Sequence, residues 1–172
     1  MEEIEVPLEK TQEDLQHAIA HGTNPGMGSL AAVMSAVLAV AAAVSALFSG
    51  HFANEAMLEQ IKSSDHWSYY QAKGIKLAIT ELRSQSDPSP ALREKIEKYK
   101  SEQEEIQTLA QEKEEESRRH LLRHEKLAAS VTFFQVAIAL TAIAVLTRKR
   151  RFLSVAGGLG ILGFAWTILS LF

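Results

Sequence analysis

The chain of 172 residues has no cysteine, which excludes a disulfide framework and any thiolate metal site and leaves the redox compartment open. It has no basic arm and a net charge of −3, so nucleic acid is not expected as a partner. No catalytic constellation of acid, base and nucleophile stands out, and the chain reads as a non-enzyme. The most informative absence is local. Residues 29–50, 129–147 and 152–172 contain no ionisable side chain, whereas residues 51–128 hold 13 of the 18 Lys and Arg and 15 of the 21 Asp and Glu. A water-soluble domain interleaves these two compositions; here they are segregated.

Crossing ~30 Å of hydrocarbon at 1.5 Å per residue takes ~20 apolar residues, and each uncharged stretch is about that long. The expected fold is therefore all-α: an integral membrane protein with transmembrane helices at 29–50, 129–147 and 152–172. Gln135 is the only strongly polar side chain in them. A cleaved secretory signal would need a positive approach, yet residues 1–28 carry Glu2, Glu3, Glu5, Glu9, Glu13 and Asp14. That acidic segment contains a helix candidate at 8–19, too acidic to adsorb to lipid, and a linker rich in Gly, Asn and Pro at 21–29.

Arg148, Lys149, Arg150 and Arg151 form a short basic loop at 148–151. Positive charge beside spans is retained in the cytoplasm, which puts the N-terminus and this loop inside and residues 51–128 outside. Arg118, Arg119, Arg123 and Lys126 oppose this, but they lie in a segment longer than the ~60 residues over which the rule holds.

Residues 51–128 read as an extramembrane antiparallel helical hairpin with its turn near 84–90. Pro88 disfavours helix at Asp87, and Ser89 with Pro90 suits a new helix start. Apolar or small residues alternate by four and three in each arm: Met57, Ile61, Ser64, Ser68, Gln71, Ile75, Ala78 and Leu82 in the first. In the second they are Leu92, Ile96, Tyr99, Gln103, Ile106, Ala110, Lys113, Ser117, His120, His124 and Leu127. Folding about the turn sets Leu82 against Leu92 and Gln71 against Gln103. So many Ser and Gln make a poor stand-alone coiled coil, and contacts from other copies are expected to supplement it.

The residues His51, Asn54, Glu55, Ala56, Gln60, Lys62, Ser63, Ser64, Asp65, Trp67, Tyr70, Gln71, Ala72 and Lys73 resemble the hallmark block of a bacterial family, domain-of-unknown-function family 4337. The similarity extends over the acidic start, the Ala-rich span, the charged helix and the two closing spans. It implies a bacterial inner-membrane protein without an assigned activity, so it transfers no functional residues.

Three sets of residues are candidates for function. His51 and Glu55 are four apart, as are His120 and His124, and the hairpin arithmetic brings the pairs together beside the bilayer. This set suits a divalent metal or, equally, ordinary polar packing of interfacial histidines. Asp65, Trp67, Tyr70 and Lys73 read as an interaction surface or, since aromatics at helical spacing usually bury, as packing between helices. Ala39, Ala43 and Ala46 in the first span, with Ala156, Gly160 and Gly163 in the third, offer small-residue faces for oligomer packing. The expected partners are thus the lipid bilayer and other copies of the chain. The function expected is an oligomeric scaffold presenting a helical stalk; the alternative is a channel or small transport component, against which stands the lack of ionisable residues in the spans.

Overall fold

A computed structural model of the protein describes residues 25–171, which are helical apart from two short turns. The helix candidate at 8–19 lies outside the described residues. Among the described residues there are three helices and no strand: α1, Pro25–Ser86; α2, Pro90–Thr147; and α3, Arg150–Leu171. All three are long and apolar enough to cross a membrane.

The boundaries follow from local chemistry. Proline lacks an N–H and suits the first turn, so α1 begins at Pro25, inside the linker expected at 21–29. Gly26 and Gly28 lie within its opening turns. The helix then runs 62 residues with no break at Gly50. It stops where Asp87 N–H makes a last bond to the Arg83 carbonyl, 3.0 Å, before Pro88. The Ser89 hydroxyl accepts the Leu92 N–H at 3.3 Å, an N-cap that starts α2 at Pro90. Between α2 and α3 only residues 148 and 149 leave the helix, so Arg150 and Arg151 of the expected loop form the first turn of α3. Arg148 takes a left-handed backbone, φ 55°, which costs a side-chain-bearing residue about 1–2 kcal/mol.

The chain divides into two compact units. The described part of unit 1 comprises residues 25–51 and 123–171; unit 2 is Phe52–Leu122. In unit 1 the core gathers Leu38 and Ala42 of α1, Phe134, Ala137 and Ile138 of α2, and Ala156 of α3. Small residues bring the helices close. A Cβ on Gly160 would lie 2.8 Å from Leu38 Cδ2, and one on Gly163 would lie 2.7 Å from Phe134 Cε1. Some of the hydroxyls that this packing buries bond locally, Thr141 to the Ile138 carbonyl at 2.6 Å and Ser130 to that of Lys126 at 3.1 Å, whereas Ser45 meets Thr167 of another helix at 3.2 Å. Burial of α1 here falls on Ala31, Ser35, Leu38, Ala42, Ser45 and Ser49. The face expected to pack between copies lies beside this buried set: Ala39 is half-buried, and Ala43 and Ala46 are exposed. Ala156, Gly160 and Gly163, expected between copies, serve packing within one chain.

In unit 2 the inner face of α1 carries Ala56, Glu59, Ser63, Trp67, Tyr70, Gly74 and Leu77, all buried or half-buried. The seam expected on this arm is displaced by one residue. Met57, Ile61, Ser64, Ser68, Gln71, Ile75, Ala78 and Leu82 are all exposed. The part of α2 in this unit matches expectation: Leu92, Ile96, Tyr99, Gln103, Ile106, Ala110, Lys113, Ser117 and His120 are all buried or half-buried.

Candidate functional site

The inner face of unit 2 is polar where a simple coiled coil would be aliphatic, and this is where its chemistry concentrates. Small residues bring the two backbones within reach of side-chain hydroxyls. Ser63 Oγ donates to the Ala110 carbonyl at 3.0 Å and Ser117 Oγ to that of Ala56 at 2.8 Å, all within the buried interior. Partner numbers rise along one helix as they fall along the other. A Cβ on Gly74 would lie 2.9 Å from Gln103 Nε2, so a larger residue here would have to turn that amide aside.

Between the two serine bonds lies Glu59, a buried carboxylate. Its Oε1 takes the Lys62 ammonium at 2.5 Å, and Oε2 lies 3.3 Å from Lys113 Nζ. Lys113 also reaches Glu116 at 2.6 Å. The Lys62 bond, opposed by burial and helped by Lys113, pulls the Glu59 carboxyl down to about 2. Glu116 and then Glu59 push Lys113 up. Burying one carboxylate is tolerable here because two ammonium groups face it.

Nearer the 87–89 turn, Lys73 is almost enclosed. Its Nζ lies 2.5 Å from Glu102 Oε2 and 5.3 Å from the ring centroids of both Tyr69 and Tyr99. The Glu102 bond raises Lys73 and lowers Glu102, and the two rings add cation–π attraction. Trp67 meets Tyr70 edge-on at 5.5 Å. Of the expected interaction surface, Trp67, Tyr70 and Lys73 therefore pack within the chain, and Asp65 is exposed. A shallow cavity of about 310 Å³ beside this cluster is lined by His66, Tyr69, Glu102, Glu105, Ile106 and Leu109.

Of the four candidate metal ligands, His120 and His124 make packing contacts. Among the described residues no group of three or more His, Cys, Asp or Glu is placed to hold a metal ion. In unit 2, His120 stacks on Phe52, centroids 5.9 Å apart, and Glu55 is half-buried on α1. In unit 1, His51 is exposed and His124 is held by Ser49. His124 Nδ1 lies 3.0 Å from the Ser49 carbonyl, and Ser49 Oγ donates to the His124 carbonyl at 3.2 Å. That reciprocal pair fits a proton on Nδ1. Spacing of i and i+4 placed each pair on one helix face, but backbone pairing through Ser49 took His124 for packing.

The family model described as Domain of unknown function (DUF4337) matches residues 27–172. The chain belongs to this family. No match was found among curated proteins or among solved structures. The DUF4337 match takes in all three described helices, so the polar inner face of unit 2 and the small-residue core of unit 1 both fall within the family's extent. Sequence reasoning missed Glu59 and Ser63 as inner-face residues, while Ser117 stood in the expected seam of the second arm. The signal was present in the matching of small or hydroxyl residues across the turn, Ala56 with Ser117 and Ser63 with Ala110.

Proposed function

We propose that this DUF4337 chain is an oligomeric integral membrane protein that acts as a structural or interaction scaffold. In this reading residues 29–50, 129–147 and 152–172 span the bilayer, and unit 2 is an antiparallel hairpin standing outside it as a stalk. The basic turn at 148–151 lies on the cytoplasmic side, as positive charge beside short loops favours. One observation carries the reading: unit 1 turns its large aliphatic side chains outward. Leu47, Leu146 and Ile161 are 72–73% exposed, on helices without charge at those depths. In water such a continuous apolar surface would aggregate; in hydrocarbon it is at home.

Topology is testable because the chain has no native cysteine. Glu104→Cys in vesicle-inserted protein is expected to react with an impermeant maleimide added on the stalk side, and Lys149→Cys only after the membrane is opened. The full chain is also expected to resist extraction by alkaline carbonate. Release into the aqueous fraction would overturn the proposal.

A pore is the second reading, favoured by the outward exposure of the Gln135 amide in an otherwise apolar stretch. Conductance across reconstituted bilayers that Gln135→Leu abolishes would select it over the scaffold.

A further inference from the structure

We infer that the outward face of α1 in unit 2 is a docking surface for a second copy of this chain, laid alongside in parallel. The inference rests on the membrane reading above, which inserts every copy the same way and so makes equivalent helices parallel.

The face has the spacing of a helix–helix seam. Met57, Ile61, Ile75 and Leu82 are 53–64% exposed, and Ser64, Ser68, Gln71 and Ala78 fill the intervening positions, so that steps of four and three alternate throughout. That 3.5-residue period follows a neighbouring helix rather than a flat surface. The partner it needs is not α2, which takes the other side of α1 through Ala56 and Ser63. Lipid is not the occupant either, because unit 2 holds the ion pairs of Glu59, Lys73 and Lys113.

Charge points to a like helix. None of the eight seam residues is ionisable, in the part of the chain that carries most of its charge. At the exposed flank of this seam a parallel copy would set Gln60 beside Asp65, so no like charges meet there. Area is sufficient. With Leu58 and Ile79 flanking the seam, both at least half exposed, six large side chains offer roughly 100 Å² each, about 1,200 Å² over two copies, above the ~1,000 Å² a specific interface needs. Ser64, Ser68 and Ala78 allow close approach, and Gln71 meets its equivalent, where two amides can bond to each other. Unit 1, taken by itself, leaves Ala43, Ala46 and Gly50 of the same helix exposed, small residues of the kind that admit a neighbour in lipid.

The test uses single-cysteine variants of the full chain in phosphatidylcholine–phosphatidylglycerol vesicles under mild oxidation, with subunit mass measured in parallel. Ser68→Cys and Ile75→Cys are expected to form disulfide-linked dimers at least tenfold faster than Glu104→Cys, an exposed position on α2. Ser68→Cys is the milder change and reports even if Ile75→Cys disturbs folding. An oligomeric mass without cross-linking at 68 and 75 would overturn this face and leave the scaffold reading standing. A monomeric mass in the bilayer would overturn both, and equal rates at 68, 75 and 104 would mark random collision and overturn the face.

Discussion

Gly163 lies directly against the ring of Phe134: a Cβ on the glycine would meet three ring carbons at 2.7–3.0 Å. A fully buried ring cannot step aside as the end of a flexible side chain would. Gly163→Leu should therefore destabilise the single chain by about 1–3 kcal/mol or more, read as a lower melting temperature in detergent. A variant that kept its stability but lost only oligomeric mass would show that this glycine faces another copy instead.

Ser117→Val should destabilise unit 2. It removes the bond to the Ala56 carbonyl, worth about 1 kcal/mol, and inserts methyl groups where a serine side chain already reaches the facing backbone. Ser117→Ala should cost only the bond. Denaturant unfolding of the full chain carrying Trp166→Phe, followed by Trp67 fluorescence, isolates this unit. Equal stabilities for the two variants would contradict the geometry.

Acid should loosen unit 2 in a defined window. The Glu59 carboxyl titrates at about 2 in the folded chain against an ordinary 4.5, so its contribution is complete above 4.5 and disappears as pH falls toward 2. Glu102 is also lowered and adds to the same limb. Lys73 and Lys113 are raised, so their contribution is complete below 10.5 and is lost at more alkaline pH. Glu59→Gln should flatten the acid limb of the unfolding midpoint; an unchanged limb would remove Glu59 from the account.

Gln135→Leu should weaken self-association. Its amide is exposed on the outside of unit 1, and in hydrocarbon an amide gains from a partner on another helix, with measured values of about 0.6–2 kcal/mol. Dissociation in a dilution series, followed by energy transfer between labelled copies, should move to roughly three- to thirtyfold higher protein concentration. No shift would place Gln135 outside any interface.

The all-helical fold, with three helices long and apolar enough to cross a membrane, was legible because charge and oil are separated along this chain. The helix breaks were legible too, since Pro88, Ser89 and Pro90 each act through local backbone chemistry. On α2 the inner face was read correctly because Glu and Lys crowd every other side of the helix. On α1 the seam reading slipped by one residue in unit 2. Large aliphatics such as Ile61, Ile75 and Leu82 were taken as the buried set, whereas the helices approach through Ala56, Ser63 and Gly74. Counting apolar volume finds what avoids water; it does not find what permits contact. Spacing likewise puts His120 and His124 on one face but says nothing of Phe52 or Ser49, which they contact.

The bend after α2 shows what the chain tolerates in order to keep a cation in place. Arg148 adopts a conformation that glycine reaches freely, so Arg148→Gly should relax the backbone there by up to about 1 kcal/mol, set against the loss of the interaction that Arg148 makes. If that variant is better folded yet inserts in mixed orientations, the guanidinium at this corner is a sorting signal kept at the expense of an easier hinge.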